Sequence, residues 1–248
     1  MEMKTMKKQN PNDLNEIKMS EDLKQPIVTN NKFFKKQTVG FLSLAYAISL
    51  FTQNILFGIS GSPGYNDPID KVLTYHAENQ GALSITSGLE AVNMVLLLFF
   101  ITALIGLVKR RGDQGEDWTR LAIAAGSTLS ALFALTIATH IAVILAASRL
   151  TESNIAFEIM WQFHAATFAL SLPALGLTII GTVLATHANG LTRPWHRTFG
   201  LLIGILPILA GLGSLAIAGG SSILYLGVIG LFLWIVWLII FGLRLIRG

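Results

Sequence analysis

After residue 37 the chain alternates six long apolar runs with short polar connections. The runs fall at approximately 38–59, 83–108, 121–147, 161–186, 199–218 and 223–243. Each is long enough, at roughly 1.5 Å of rise per residue, to cross about 30 Å of hydrocarbon as an α-helix. Their apolar character is continuous rather than alternating, which excludes a transmembrane β-barrel. Short connections predict that consecutive helices pack antiparallel. The expected fold is therefore an all-α membrane protein, a six-helix transmembrane bundle.

One connection carries a helical signal of its own. Between residues 69 and 78, Ile69, Val72, Leu73 and His76 share one helical face, and Asp70, Lys71, Thr74 and Glu78 lie largely on the other. Pro63-Gly64 and Asp67-Pro68 punctuate its approach, and Pro68 suits a first helical turn. The pattern predicts a short amphipathic helix on the outer membrane surface. Within the fourth and fifth runs, Pro173 and Pro207 predict kinks. Gly200, Gly204 and Gly211 put small residues on one face of the fifth run, which favours close helix packing inside the chain, with homodimerisation as the alternative. Trp234 and Trp237, three apart in the last run, read as core.

Of 248 residues, 52% are hydrophobic and 13% charged, well outside the range of an average soluble domain. Cysteine is absent, which excludes disulfides, thiolate metal sites and thiol nucleophiles. The net charge of +4 does not point to nucleic acid, because the basic residues sit at membrane edges rather than in one patch. Sixteen of the eighteen Lys and Arg residues fall before the first run, in the second and fourth connections, and after the last run. Only Lys71 and Arg149 lie on the other side. Basic connections stay cytoplasmic, so both termini are expected inside. Residues 1–37 mix eight basic with five acidic side chains and contain Asn10-Pro11-Asn12 and Gln25-Pro26, a composition that predicts a disordered basic cytoplasmic tail. A polar stretch of this length makes the first run an uncleaved anchor.

Glu90 is the one acid inside a span. An ionised carboxylate at a helix centre costs about 2.5–3.5 kcal/mol, so it persists with a partner, with water or with a task. Asn93 lies one turn deeper on the same face. His140 enters the third span from the same side of the membrane, about 10 Å deep, and Trp161 and His164 begin the fourth. Gln53 and Asn54 stand near the outer end of the first span. The common depth of these groups makes Glu90, Asn93, His140, His164 and Asn54 candidates for a ligand or proton site in the outer third of the bundle. The structural alternative is a set of interhelical hydrogen bonds. Two histidines on neighbouring spans are compatible with bis-imidazole haem, but their spacing carries no haem signature, and no HExxH motif supports zinc. His187 and His196 are expected as solvated residues at the cytoplasmic edge. No GxSxG elbow, Walker loop or dinucleotide fingerprint occurs. No catalytic residue, cofactor or metal is assigned.

The acidic segment with Val72, Leu73, Tyr75 and His76, followed by a long run ending in Lys109-Arg110-Arg111, has a familiar form, as does the ending from Trp161 through Pro194-Trp195 to Arg247. Together they resemble a widespread uncharacterised family of six-span bacterial integral membrane proteins. The resemblance covers most of the chain after residue 37. It implies a multi-pass protein of the bacterial cytoplasmic (inner) membrane and carries over no established activity. The reading that follows is a non-enzymatic protein that binds a small molecule or lipid, or serves as an accessory to a membrane protein partner. The alternatives are a proton-coupled small-molecule transporter using Glu90 and an intramembrane metal- or haem-dependent enzyme.

Overall fold

A computed structural model describes residues 35–248, and the expected cytoplasmic tail through residue 34 lies outside the described residues. Among the described residues every element is helical: α1 (Lys36–Ile59), α2 (Ile69–Glu78), α3 (Gln80–Arg110), α4 (Glu116–Ala147), α5 (Ile155–Ala188), α6 (Pro194–Leu212), α7 (Ser214–Ala218) and α8 (Leu224–Arg247). Six of these, α1, α3, α4, α5, α6 and α8, are long and apolar enough to span a membrane. The protein is thus a multi-pass membrane protein by fold and composition.

Most helices outrun the apolar stretches that predict them, because polar caps and charged turns extend them beyond the hydrocarbon. Asn154 caps α5, its side-chain oxygen accepting the Phe157 N–H at 3.0 Å. Glu116 and Asp117 open α4 and Lys109 and Arg110 close α3, each favourable for the helix dipole. The run at 199–218 departs from expectation. Its helix α6 starts earlier, with Pro194 at the first position, and stops at Leu212. Gly211 and Gly213 weaken helix propagation there, and the hydroxyl of Ser214, the first residue of α7, bonds back to the Gly211 carbonyl. Ile217 of α7 then packs with Ala169 and Leu172 of α5.

Each spanning helix packs mainly against two others, in the cyclic order α1, α3, α4, α5, α6, α8 and back to α1, with sparse contact across the ring. Glycines set the closest approaches. At the α1–α8 closure, a Cβ on either Gly40 or Gly242 would sit 2.8 Å from the other residue's carbonyl oxygen. Between α5 and α6, a Cβ on Gly176 would sit 2.4 Å from the Gly204 carbonyl. The small-residue face of α6 is therefore spent inside the chain, against α5 and α8.

The half of the ring nearer Lys36 and Arg247 is tightly filled. Tyr46, Phe100, Leu104, Trp237, Leu238 and Phe241 are buried in one cluster, and the rings of Trp234 and Trp237 stack at 4.8 Å. His196 corrects the expectation of a solvated edge residue. It is 1% exposed, stacked on Trp237 at 4.6 Å, because the first turn of α6 presses that side chain against α8. The opposite half, beside α2, is where the polar side chains gather.

Candidate functional site

The helix α2 forms over the expected residues, and its apolar face docks on the bundle. Val72 and Leu73 pack with Val143 and Ala147 of α4 and Phe157 and Trp161 of α5. The Ser60 hydroxyl, just past α1, meets the Tyr75 hydroxyl at 2.7 Å, and Ser153 donates to Asp70. In the approach to α2, the Lys71 ammonium and the Gly64 N–H each donate to Asp67 at 2.8 Å and hold its carboxyl below the ordinary range. This docking carries His76 inward to a 1% exposed position.

Below α2, three imidazoles from three helices meet. The His140 ring lies 5.6 Å from His76, nearly perpendicular to it, and 5.1 Å from His164, stacked on it. Trp161 stacks on His164 at 5.3 Å and meets His76 edge-on at 5.5 Å. Tyr65 closes the group against Trp161, His164 and Phe168. Each imidazole uses its Nδ1. His76 donates to the Val72 carbonyl at 2.7 Å and His164 to the Thr136 carbonyl at 3.2 Å, while His140 Nδ1 stands 3.5 Å from Glu90 Oε2. Burial, followed by the neighbouring His140, lowers the pKa of His76 from 6.5 to about 4, although its bond to the Val72 carbonyl opposes that shift. His76 is therefore neutral at pH 7. Burial and then the Glu90 carboxyl push the Tyr65 phenol well up.

From Glu90 the polar network continues toward α1. Gln53 Nε2 donates to Glu90 Oε1 across 3.5 Å, and Asn93 Nδ2 donates to Gln53 Oε1. Glu90 and His140 are thus in contact, His164 adjoins His140, and Asn93 joins through Gln53. Asn54 stands apart from this chain: its amide returns to the Leu50 carbonyl at 2.8 Å, although it borders the same cavity. Two participants, Gln53 and His76, are absent from the five sequence candidates. His76 had a readable signal, a histidine on the apolar face of an amphipathic helix. Gln53 had none that separates it from its neighbour Asn54.

A cavity of about 110 Å³ opens beside this network, among α1, α3, α4, α5 and α8. Glu90, Asn93, Gln53 and Thr136 edge it, and Tyr46, Phe133, Phe168, Leu172 and Leu231 are among its walls. A second hollow, of about 250 Å³ between α3 and α4, is lined by Leu98, Ile101, Ile105 and Ile123 with only the hydroxyls of Thr102 and Ser127. It holds no charged or amide group.

The arrangement offers hydrogen-bond acceptors and brings the Glu90 carboxyl to 3.5 Å from the His140 imidazole. Among the described residues no three His, Cys, Asp or Glu side chains converge in a way that could hold a metal ion. His140 and His164 also lie face to face, tilted by 28°, whereas axial haem ligands aim their nitrogens at one iron from opposite sides. Fold and side chains together define a multi-pass, all-helical membrane protein with a polar cluster built into one half of a six-helix ring. No family model, curated protein or solved structure matches the chain.

Proposed function

We propose that this protein is a multi-pass component of the bacterial cytoplasmic membrane, both termini inside, that binds a small molecule in the ring cavity. The observation that carries the reading is the cavity itself: apolar and aromatic walls with a few polar groups at one edge, the usual composition of a small-molecule site. For scale, an apolar cavity of about 150 Å³ takes up benzene. A ligand body of similar size suits the 110 Å³ here. The division of basic residues supports the orientation, which puts α2 and the polar cluster toward the outer face. The packed aromatic cluster on the terminal side favours access from that outer half.

The site in this reading is Glu90, Asn93 and Gln53 at the cavity edge, with His140 and His164 behind Glu90 and Asn54 on the cavity lining. A second reading, proton-coupled transport, is favoured by one observation: Glu90 touches both the cavity and His140. Solute flux that depends on Glu90 would distinguish it from binding alone. Saturable uptake of benzene-sized probes by the protein in nanodiscs, followed by ligand-observed NMR, tests the binding reading. Val228 lines the cavity, so Val228→Phe should fill it and abolish binding. Equal binding by both proteins, or none by either, sinks the proposal.

A further inference from the structure

The hydrogen-bond sense of the Gln53–Asn93 chain gives the cavity edge a definite chemical preference. An amide chain ending on a carboxyl group has two arrangements. With Glu90 ionised, the carboxylate only accepts, so Gln53 turns its Nε2 toward it and its Oε1 toward Asn93, and Asn93 must donate through Nδ2. That is the observed order. It leaves Asn93 Oδ1 without a donor, and this atom is buried without a partner on a side chain only 6% exposed that lines the cavity. With Glu90 protonated and donating, the chain reverses and leaves an amide N–H open instead.

Other polar groups around the cavity agree with the first arrangement. Thr136 and Ser171 turn their hydroxyl protons onto the Leu132 and Phe168 carbonyls, at 2.9 and 2.6 Å, and Asn54 donates to Leu50. The Tyr46 hydroxyl can rotate to suit either a donor or an acceptor. Glu90 itself is poorly satisfied. A carboxylate has about four acceptor positions, whereas this one, 13% exposed, receives two contacts that both stand at 3.5 Å, the outer limit of a hydrogen bond. The surplus beside the cavity is therefore acceptor capacity. Aromatic walls from Tyr46, Phe133 and Phe168 suit a cation as well as an apolar body.

From this we infer that the cavity recognises a small protonated amine, its ammonium group donating to Glu90 and Asn93 Oδ1 and its apolar body lying among the aromatic and aliphatic walls. The inference rests on the binding reading above and gives it a ligand class. A poorly satisfied carboxyl group and an orphaned amide oxygen in a membrane interior are unfavourable by themselves, and one ammonium group answers both.

Three probes of nearly equal size separate the two claims: cyclohexylamine, cyclohexanol and methylcyclohexane, titrated at pH 7.5 against the nanodisc-embedded protein and Val228→Phe. Cyclohexylamine should bind about tenfold or more tightly than either neutral probe, the margin expected for charge-assisted over neutral hydrogen bonds. Glu90→Gln should lose that preference. Equal affinity for amine and alcohol in the unaltered protein overturns the ammonium assignment and leaves the cavity reading intact, and this comparison needs no variant. A preference retained in Glu90→Gln also overturns it. Failure of all three probes to bind, or binding unchanged by Val228→Phe, removes the cavity reading itself.

Discussion

Acid should loosen the bundle through His76, and the effect is large enough to measure. Its pKa falls from 6.5 to about 4 on burial, so between those values the unfolded chain binds a proton that the folded one refuses. Stability contributed by neutral His76 is full above about pH 6.5, declines as the pH drops, and reaches its floor near pH 4. A shift of this size corresponds to about 3 kcal/mol. For a domain of this length that is roughly 6–12 °C in Tm. His76→Phe keeps a ring beside Trp161 and His140 and gives up the bond to the Val72 carbonyl, a change of about 1 kcal/mol at pH 7.5. Melting in one detergent from pH 7.5 to 4 should show a steep acid loss in the unaltered protein and a shallower one in His76→Phe. Parallel slopes would refute the burial of a neutral imidazole under α2.

Gly204→Leu should lower stability by about 1–3 kcal/mol, the range for overpacking a close contact, since even a Cβ there would lie 2.6 Å from the Ile180 side chain and 3.0 Å from the Gly176 carbonyl. Gly58→Leu, where a Cβ meets nothing within 4 Å, is the control, and equal losses on thermal melting would contradict the packing account. Single cysteines at Asn66 and Ser153, introduced into a chain without cysteine, should react with an impermeant maleimide from outside intact cells. Reaction of both only after the cytoplasmic side is opened would reverse the orientation.

Much of the architecture follows from local periodicity. Six apolar runs predict six spanning helices because helix length and bilayer thickness are fixed by backbone geometry and lipid. The faces of α2 follow from a 3.6-residue repeat in ten residues, and the depths of Glu90, Asn93, His140 and His164 from counting along their runs. What such counting cannot supply is rotation about each helix axis and the identity of the neighbours. Gln53 and Asn54 are adjacent, so they point about 100° apart. Only the packing of α1 against α3 and α8 decides that Gln53 meets Glu90 while Asn54 turns back to Leu50. The same holds at the other end of the molecule, where composition suggests a wet His196 and packing against Trp237 buries it. The break after Leu212 lies between these cases: its glycines are visible in the chain, but the lodging of Ile217 against α5 depends on the ring already being closed. Helix existence and depth are properties of a segment and its solvent. Convergence of side chains is a property of the ring, set by close approaches such as Gly40 on Gly242 and Gly176 on Gly204, which join residues far apart in the chain or carried on separate helices.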